Sequence, residues 1–307
     1  MLLYVKQDIF ESPAQVIVNT VNTVGVMGKG IAKKYKQLYP DMYKQYRHYC
    51  EQGLLDIGKL WLYKDEKKWV LNFPTKKHWR NPSEIEYIEK GLAKFVSTYE
   101  EKGIYSISFP QLGTGNGGLD WETEVKPLME KYLKNLPIDV FVHIVDGFET
   151  FTEHKNIKET RKWLRKQPSA LSAEFVWEDL LHIVTHADLK IFGWSVDSLV
   201  GDEKEESKLL IHTRDDNIEF NKEDFFDLWI KLRDFGYVFS RDLPENYREK
   251  NRSTNILRFL TLLPYIEPIK SINHQKQITT GVAVKKINLP DEEQSVSSQE
   301  QTELIFG

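Results

Sequence analysis

The stretch Asn19-Thr20-Val21-Asn22-Thr23-Val24-Gly25-Val26-Met27-Gly28-Lys29-Gly30-Ile31-Ala32 decides how the first half of this chain folds. It follows Val16-Ile17-Val18, a β-branched run that predicts a buried strand. Three glycines then make a loop, and Lys29 to Leu38, ahead of Pro40, carry a helical pattern. Glycine lets backbone N–H groups approach an anion closely, and a helix N-terminus adds a favourable dipole. The segment therefore predicts a phosphate or diphosphate site. It is not a Walker-type loop, because Gly28-Lys29 is followed by Gly30 rather than Ser or Thr.

Working outward, the same plan recurs at Pro110-Gln111-Leu112-Gly113-Thr114-Gly115-Asn116-Gly117-Gly118-Leu119-Asp120-Trp121. It lies between the apolar run Ile104 to Phe109 and a helical pattern from Trp121 to Leu133, with Asp120 as the expected N-cap. Gly113, Gly115 and Gly118 satisfy the dinucleotide-binding spacing. The following acid, Asp146, stands further on than the roughly 20 residues that motif uses. A diphosphate gripped between two glycine-rich loops accounts for both loops. A third segment, Asn72-Phe73-Pro74-Thr75-Lys76-Lys77-His78-Trp79-Arg80, follows the strand pattern at Val70 to Phe73 and is dense in cations. A lysine here would act as a nucleophile toward a sugar aldehyde or as a charge stabiliser. His78, Trp79 and Arg80 are expected to contact DNA, gripping phosphates and stacking a base.

Strand patterns also occur at Val140 to Val145, and a helix is expected from Ser83 to Glu101, with Ser83 and Glu86 forming a capping box. Alternating β and α elements argue for a layered α/β domain over residues 1–150. Residues 151–172 read as a linker or connecting helix. From 173 to 290 the pattern turns to amphipathic helices around Phe175, Phe225 and Ile256, giving a smaller, mainly helical or winged-helix-like domain. Residues 291–307 read as a flexible tail.

With 307 residues, 40% hydrophobic and 29% charged, the chain has the composition of a two-domain globular protein. No apolar run approaches the roughly 18 residues of a membrane span, so no membrane association and a cytoplasmic location are expected. The single cysteine, Cys50, excludes an internal disulfide framework and a cysteine-rich zinc site. His182 and His186 have helical spacing but lack the Glu of a zinc motif, so neither metal nor cofactor is expected. His143, inside an apolar strand, reads as a core or strand-face histidine; Phe225, Phe226 and Trp229 read as core. The net charge of −4 excludes a basic nucleic-acid coat. It hides an acidic stretch, residues 171–236, with seven Lys or Arg against sixteen Asp or Glu. That stretch suits a basic partner, and would imitate the phosphate track of DNA.

Asn22, the loop Gly25 to Ala32, Phe73-Pro74-Thr75-Lys76 and Leu112 to Trp121 together resemble the macrodomain family. Within it they are most similar to the DarG-type DNA ADP-ribosyl glycohydrolases, antitoxins to DarT-type toxins that ADP-ribosylate thymidine in DNA. The resemblance covers about residues 1–150 and implies a three-layer α/β/α domain with a mixed central sheet and ADP-ribose in a cleft. Asp8 falls where macrodomains hold the adenine amino group, with Ile9 beside it. Gly25, Val26, Met27, Gly28, Gly30 and Ile31 would wrap the diphosphate and distal ribose together with Gly113, Thr114, Gly115, Asn116 and Gly117. Asn22 would hold the distal ribose hydroxyls or a water, and Lys76 falls at the catalytic lysine, chosen over Lys77 by register. The related terminal ADP-ribose protein glycohydrolase uses an Asp in its second glycine-rich loop, where this chain has Gly117. That departure fits the DNA-directed branch. The implied partners are ADP-ribosylated single-stranded DNA and a DarT-like toxin bound by the C-terminal domain. The alternatives are a hydrolase of ADP-ribosylated protein or small ADP-ribose derivatives, and a non-catalytic ADP-ribose reader. The motifs hold no carboxylate pair of the glycosidase kind, so lysine acts either as a cation or as a neutral nucleophile.

Overall fold

The computed structural model describes residues 1–145, 157–186, 189, 193–199, 207–214, 216–272, 278–285 and 303–305. The chain divides into two units, Met1–Trp163 with Glu293–Gly307, and Leu164–Glu292.

The first unit is built on the strands that the apolar runs predicted. They are β1 (Leu2–Val5), β2 (Val16–Asn22), β3 (Leu60–Tyr63), β4 (Trp69–Lys76), β5 (Ser106–Pro110) and β6 (Asp139–His143). Glu303–Ile305 adds a short strand against β3. The sheet order is β1-β6-β5-β2-β4-β3, then that added strand. The first five strands are parallel and β3 is antiparallel to β4, so the sheet is mixed. The central strands β2 and β4 are buried along nearly their whole length, because helices cover both faces.

Those helices are α1 (Gly30–Leu38), α2 (Pro40–Glu51), α3 (Ile85–Thr98) and α4 (Lys126–Leu133). Ile88, Leu92 and Phe95 of α3, with Met129 and Leu133 of α4, pack on Leu60, Leu62, Phe73 and Phe109 of the sheet. Trp61, between Leu60 and Leu62, points to the opposite face. There it meets Tyr49 of α2 edge-on at 5.1 Å, which places α1 and α2 in the third layer. Asp120 caps the helical segment ahead of α4 as expected, accepting from Thr123 N at 2.7 Å, and Trp121–Val125 form a π-helical turn. Ser83 does not cap α3. The N-cap is Glu84, and Ser83 instead donates its backbone N–H to Gly117 O at 2.9 Å. The second glycine-rich loop, an element remote in sequence, takes the group that a local cap would have used.

β4 contains Pro74 in a central strand, where a residue without an N–H is tolerated only at an irregularity. Val21 pairs with Pro74 and Asn22 with Lys76, so Thr75 is an extra residue that bulges. The bulge sets Asn22 and Lys76 side by side at the C-terminal ends of β2 and β4.

The second unit holds α6 (Ala173–His186), α7 (Lys222–Phe235) and α8 (Lys250–Leu260), following α5 (Ile157–Leu164) at the division. Two three-stranded antiparallel sheets accompany the helices: β7 (Ser195–Leu199), β8 (Lys208–His212) and β9 (Asn217–Asn221), and β10 (Tyr237–Phe239), β11 (Ile266–Ile272) and β12 (Ile278–Val284). The strands are short and alternate polar with apolar residues, which hid them behind the stronger helical runs. Phe225 and Trp229 are core, as read, with Trp177; Phe226 is half-buried. The fully buried Asp179 is held by Arg165 at 2.6 and 2.9 Å and by Tyr265 Oη at 3.1 Å. Asp146, the acid weighed for a dinucleotide site, and most of 291–307 lie outside the described residues. Among the described residues no helix is long and apolar enough to cross a membrane.

Gly91 in α3 lies against Phe73, and a Cβ there would come within 2.2 Å of the ring. Gly91→Ala is expected to destabilise the protein by about 1–3 kcal/mol through overpacking, measurable as a lower urea midpoint.

Candidate functional site

The C-terminal ends of β1, β2, β4, β5 and β6 open into one cleft of about 1170 Å³. Open α/β sheets place ligands at this edge. The walls are the two glycine-rich loops, the turn after β1, and Glu159 with Trp163 of α5. Lys6, Lys29, Lys33, Lys34 and Lys76 line it against two carboxylates, Asp8 and Glu159, so the cleft favours an anion.

The first loop ends at the N-terminus of α1, where Lys29 is the N-cap and no side chain caps the helix. The first-turn N–H groups are thus left to a ligand. Asn22 shapes this loop: its Oδ1 accepts from Val24 N at 3.1 Å and Val26 N at 3.2 Å, and its Nδ2 donates to Val26 O at 2.6 Å. Tyr46 Oη of α2 braces the same residue, donating to Asn22 O at 2.7 Å. Burial pushes the Tyr46 hydroxyl well up, so it stays a donor. Cys50 is close by, and burial pushes its thiol up as well, which makes it a poor nucleophile.

The two glycine-rich loops come close to each other where the backbone conformation already favours glycine, and the second is tightly folded on itself. Gly30, at φ +57°, would place a Cβ 2.7 Å from Asn116 Nδ2. At Gly117 a Cβ would fall 2.1 Å from Gly113 O and 2.3 Å from Ser83 Oγ. Lys76 is buried, and its Nζ donates to Asn116 O at 2.7 Å. One lysine therefore sits at the joint between β4 and the second loop, with Asn22 beside it.

Asp8, on the turn after β1, also lines the cleft and N-caps the short 3₁₀ turn Ile9–Glu11. Its Oδ1 accepts from Phe10 N at 3.1 Å and its Oδ2 from Lys34 Nζ at 2.5 Å. Partial burial pushes this carboxyl up, but the Lys34 and Phe10 hydrogen bonds outweigh it and hold Asp8 below its usual value.

Of the residues singled out from the sequence, the cleft brings together Lys76, Asn22, Asp8, Ile9, Val26, Gly28, Gly30, Ile31, Gly113, Thr114, Gly115, Asn116 and Gly117. Gly25 and Met27 are absent from its lining. Met27 is buried beneath the first loop, with Sδ 3.9 Å from Asn19 Nδ2, and Gly25 O faces Tyr43 Oη at 3.4 Å. His78, Trp79 and Arg80 do not line it either. Trp79 is fully buried, which corrects the expectation that it stacks on a base: the chain turns back at 78–81 and drives the indole into the core. His78 and Arg80 are half-buried against it. Sequence reasoning missed Lys6, Lys33, Lys34, Glu159 and Trp163, which carry no motif and reach the cleft through the fold. His143 is buried, as read, and it also lines the cleft.

A mixed sheet between helix layers, with two glycine-rich loops facing a cationic cleft, is the architecture of a nucleotide-diphosphate binding domain. Residues 18–127 match the family model described as Macro domain, and the N-terminal unit belongs to that family. The chain is 45% identical over 148 residues to the DNA ADP-ribosyl glycohydrolase of Thermus aquaticus, covering 47% of this chain and 41% of that protein. It is 41% identical over 162 residues to a DNA ADP-ribosyl transferase–DNA ADP-ribosyl glycohydrolase fusion protein of Thermosipho africanus, covering 47% and 42%. Among solved structures it resembles the macrodomain of Thermus aquaticus DarG, at 44% identity and a TM-score of 0.45, covering 47% of this chain and 99% of that one. The chain thus spans less than half the length of these two curated relatives.

Asn22→Ala removes three hydrogen bonds that shape the first loop and is expected to cost about 1–3 kcal/mol of stability, read as a lower melting temperature. Gly117→Ala is expected to displace the second loop and destabilise the protein by about 1–3 kcal/mol, read as a lower urea midpoint; an unchanged midpoint would show that the loop yields without cost.

Proposed function

We propose that the protein is a DNA ADP-ribosyl glycohydrolase that removes ADP-ribose from thymidine bases of single-stranded DNA, and that it serves as antitoxin to a DarT-type transferase restrained by its second unit. The observation that carries this reading is Lys76, buried at the joint between β4 and the second glycine-rich loop, with its Nζ on Asn116 O at 2.7 Å. A reader of ADP-ribose needs no lysine there. The activities named for the relatives, and the fusion of the two activities in the Thermosipho protein, support the same assignment.

In this reading the diphosphate lies on the N-terminus of α1 and the second loop, the adenine amino group donates to Asp8, and the distal ribose reaches Asn22 and Lys76. The N-glycosidic bond at C1″ breaks with oxocarbenium character, the base leaves as an anion, and water completes the hydrolysis. An ammonium has three N–H donors. The one on Asn116 O fixes Lys76 in the cleft wall, where its charge stabilises the departing base. The competing covalent route needs a neutral amine that adds to C1″ of the opened sugar, and it predicts a borohydride-trappable adduct. Exposed Lys77 and half-buried Arg80, just beyond Lys76, supply cations for flanking phosphates.

Lys76→Ala is expected to slow release of ADP-ribose from a modified oligonucleotide by at least about a hundredfold while ADP-ribose binding is retained. An ADP-ribosylated protein control should be left intact. Full activity in the variant would remove Lys76 from the mechanism, and cleavage of the protein control alone would move the substrate from DNA to protein. For the partner, capture of the toxin by the full chain should weaken steeply as salt rises, given the acidic balance of 171–236. Salt-indifferent capture would reject the imitation of DNA phosphates.

A further inference from the structure

The turn that carries Asp8 is fastened to the sheet at both ends, and both fastenings meet at one side chain. His143, the last residue of β6, pairs with Val5 of β1 on one side and Pro110 of β5 on the other. Its Nδ1 lies 2.9 Å from Gln7 O, the carbonyl immediately before Asp8. Its Nε2 lies 3.1 Å from Ser108 Oγ of β5. Ser108 Oγ is in turn 2.6 Å from Ser12 Oγ, and Ser12 closes the 3₁₀ turn that Asp8 opens. Ala14 N donates to Ser12 Oγ at 3.1 Å.

The first bond fixes one proton, and an unprotonated Nε2 then sets the others. A carbonyl oxygen only accepts, so Nδ1 carries the proton. In the tautomer with the proton on Nδ1 alone, Nε2 accepts from Ser108 O–H, and Ser108 Oγ accepts from Ser12 O–H. Each bond holds one proton and each buried polar atom has a partner. A core histidine that merely satisfied itself would not need to grip both flanks of a turn whose sequence neighbours are remote from it. Ser108 and His143 are buried, whereas Asp8 is exposed, so the rigid end of the network is the sheet and the end it positions is the carboxylate.

We propose that His143 is a positioning residue that sets Asp8 to discriminate the base of the bound nucleotide, through Gln7 O and the Ser108–Ser12 pair. The proposal rests on the reading that Asp8 accepts from the adenine amino group. Hypoxanthine carries a carbonyl where adenine carries that amino group, so a fixed carboxylate meets an acceptor and rejects it. A loosened carboxylate moves aside and no longer distinguishes the two.

Calorimetry with ADP-ribose and with inosine diphosphate ribose tests this on the full chain. The wild type should prefer ADP-ribose by about tenfold or more, the size of one charge-assisted hydrogen bond. In His143→Ala the preference should fall to within about twofold, because affinity for ADP-ribose drops while that for the inosine compound does not. His143→Gln, whose amide can still donate to Gln7 O, should restore part of the preference, which a general loss of packing would not allow. If His143→Ala instead fails to fold, Ser108→Ala provides the same readout, removing the Nε2 partner and the link to Ser12 with little change in volume. A wild-type preference that survives His143→Ala or Ser108→Ala in full overturns the proposal while leaving the ADP-ribose site intact. A wild type that binds neither compound overturns the reading of the cleft itself, and the proposal with it.

Discussion

The hydrogen bond from Lys76 Nζ to Asn116 O is the constraint around which the cleft is organised. It joins the end of a central strand to a loop forty residues away. On its other side the Asn116 side chain lies against Gly30, where α1 begins in a left-handed backbone conformation that favours glycine. Strand end, first loop and second loop therefore meet at one residue. A polar group so deeply placed needs a partner, and a backbone carbonyl is the partner least able to move away.

The same arrangement depends on the parallel half of the sheet. Parallel strands put their C-terminal ends on one edge, and here those ends carry Asn22, Lys76, Pro110 and His143. The Pro74 irregularity advances Lys76 by one residue relative to Asn22, so that two side chains from neighbouring strands come into register only after the ladder has been interrupted. The core beneath supplies rigidity, and the interruption supplies direction.

Much of this was legible in the sequence because the two glycine-rich loops each followed an apolar run and preceded a helical one. Local chemistry of that kind reports its own structure. What escaped was set by contacts between distant residues. Ser83 reads as a helix cap, yet the loop at Gly117 claims it. Trp79 reads as a stacking platform among cations, yet one turn of chain buries it. Asn22 was read for its reach toward a ligand, whereas its side chain is also the brace of its own loop. The cleft lysines 33 and 34 look like an ordinary solvated helix face until α1 is docked. In the second unit, short strands with alternating polarity gave weaker patterns than the aromatic helices beside them.

Gly117 has a consequence for how such sites diversify. A carboxylate at that position is the feature that marks the protein-directed relatives in the resemblance drawn from sequence, and here even one carbon beyond Cα collides with backbone at Gly113. Acquiring it would require the loop to be rebuilt before the new residue could be useful. The two kinds of site are separated by a backbone conformation, so the shape of the main chain selects the residue at this position as much as the side chains around it do.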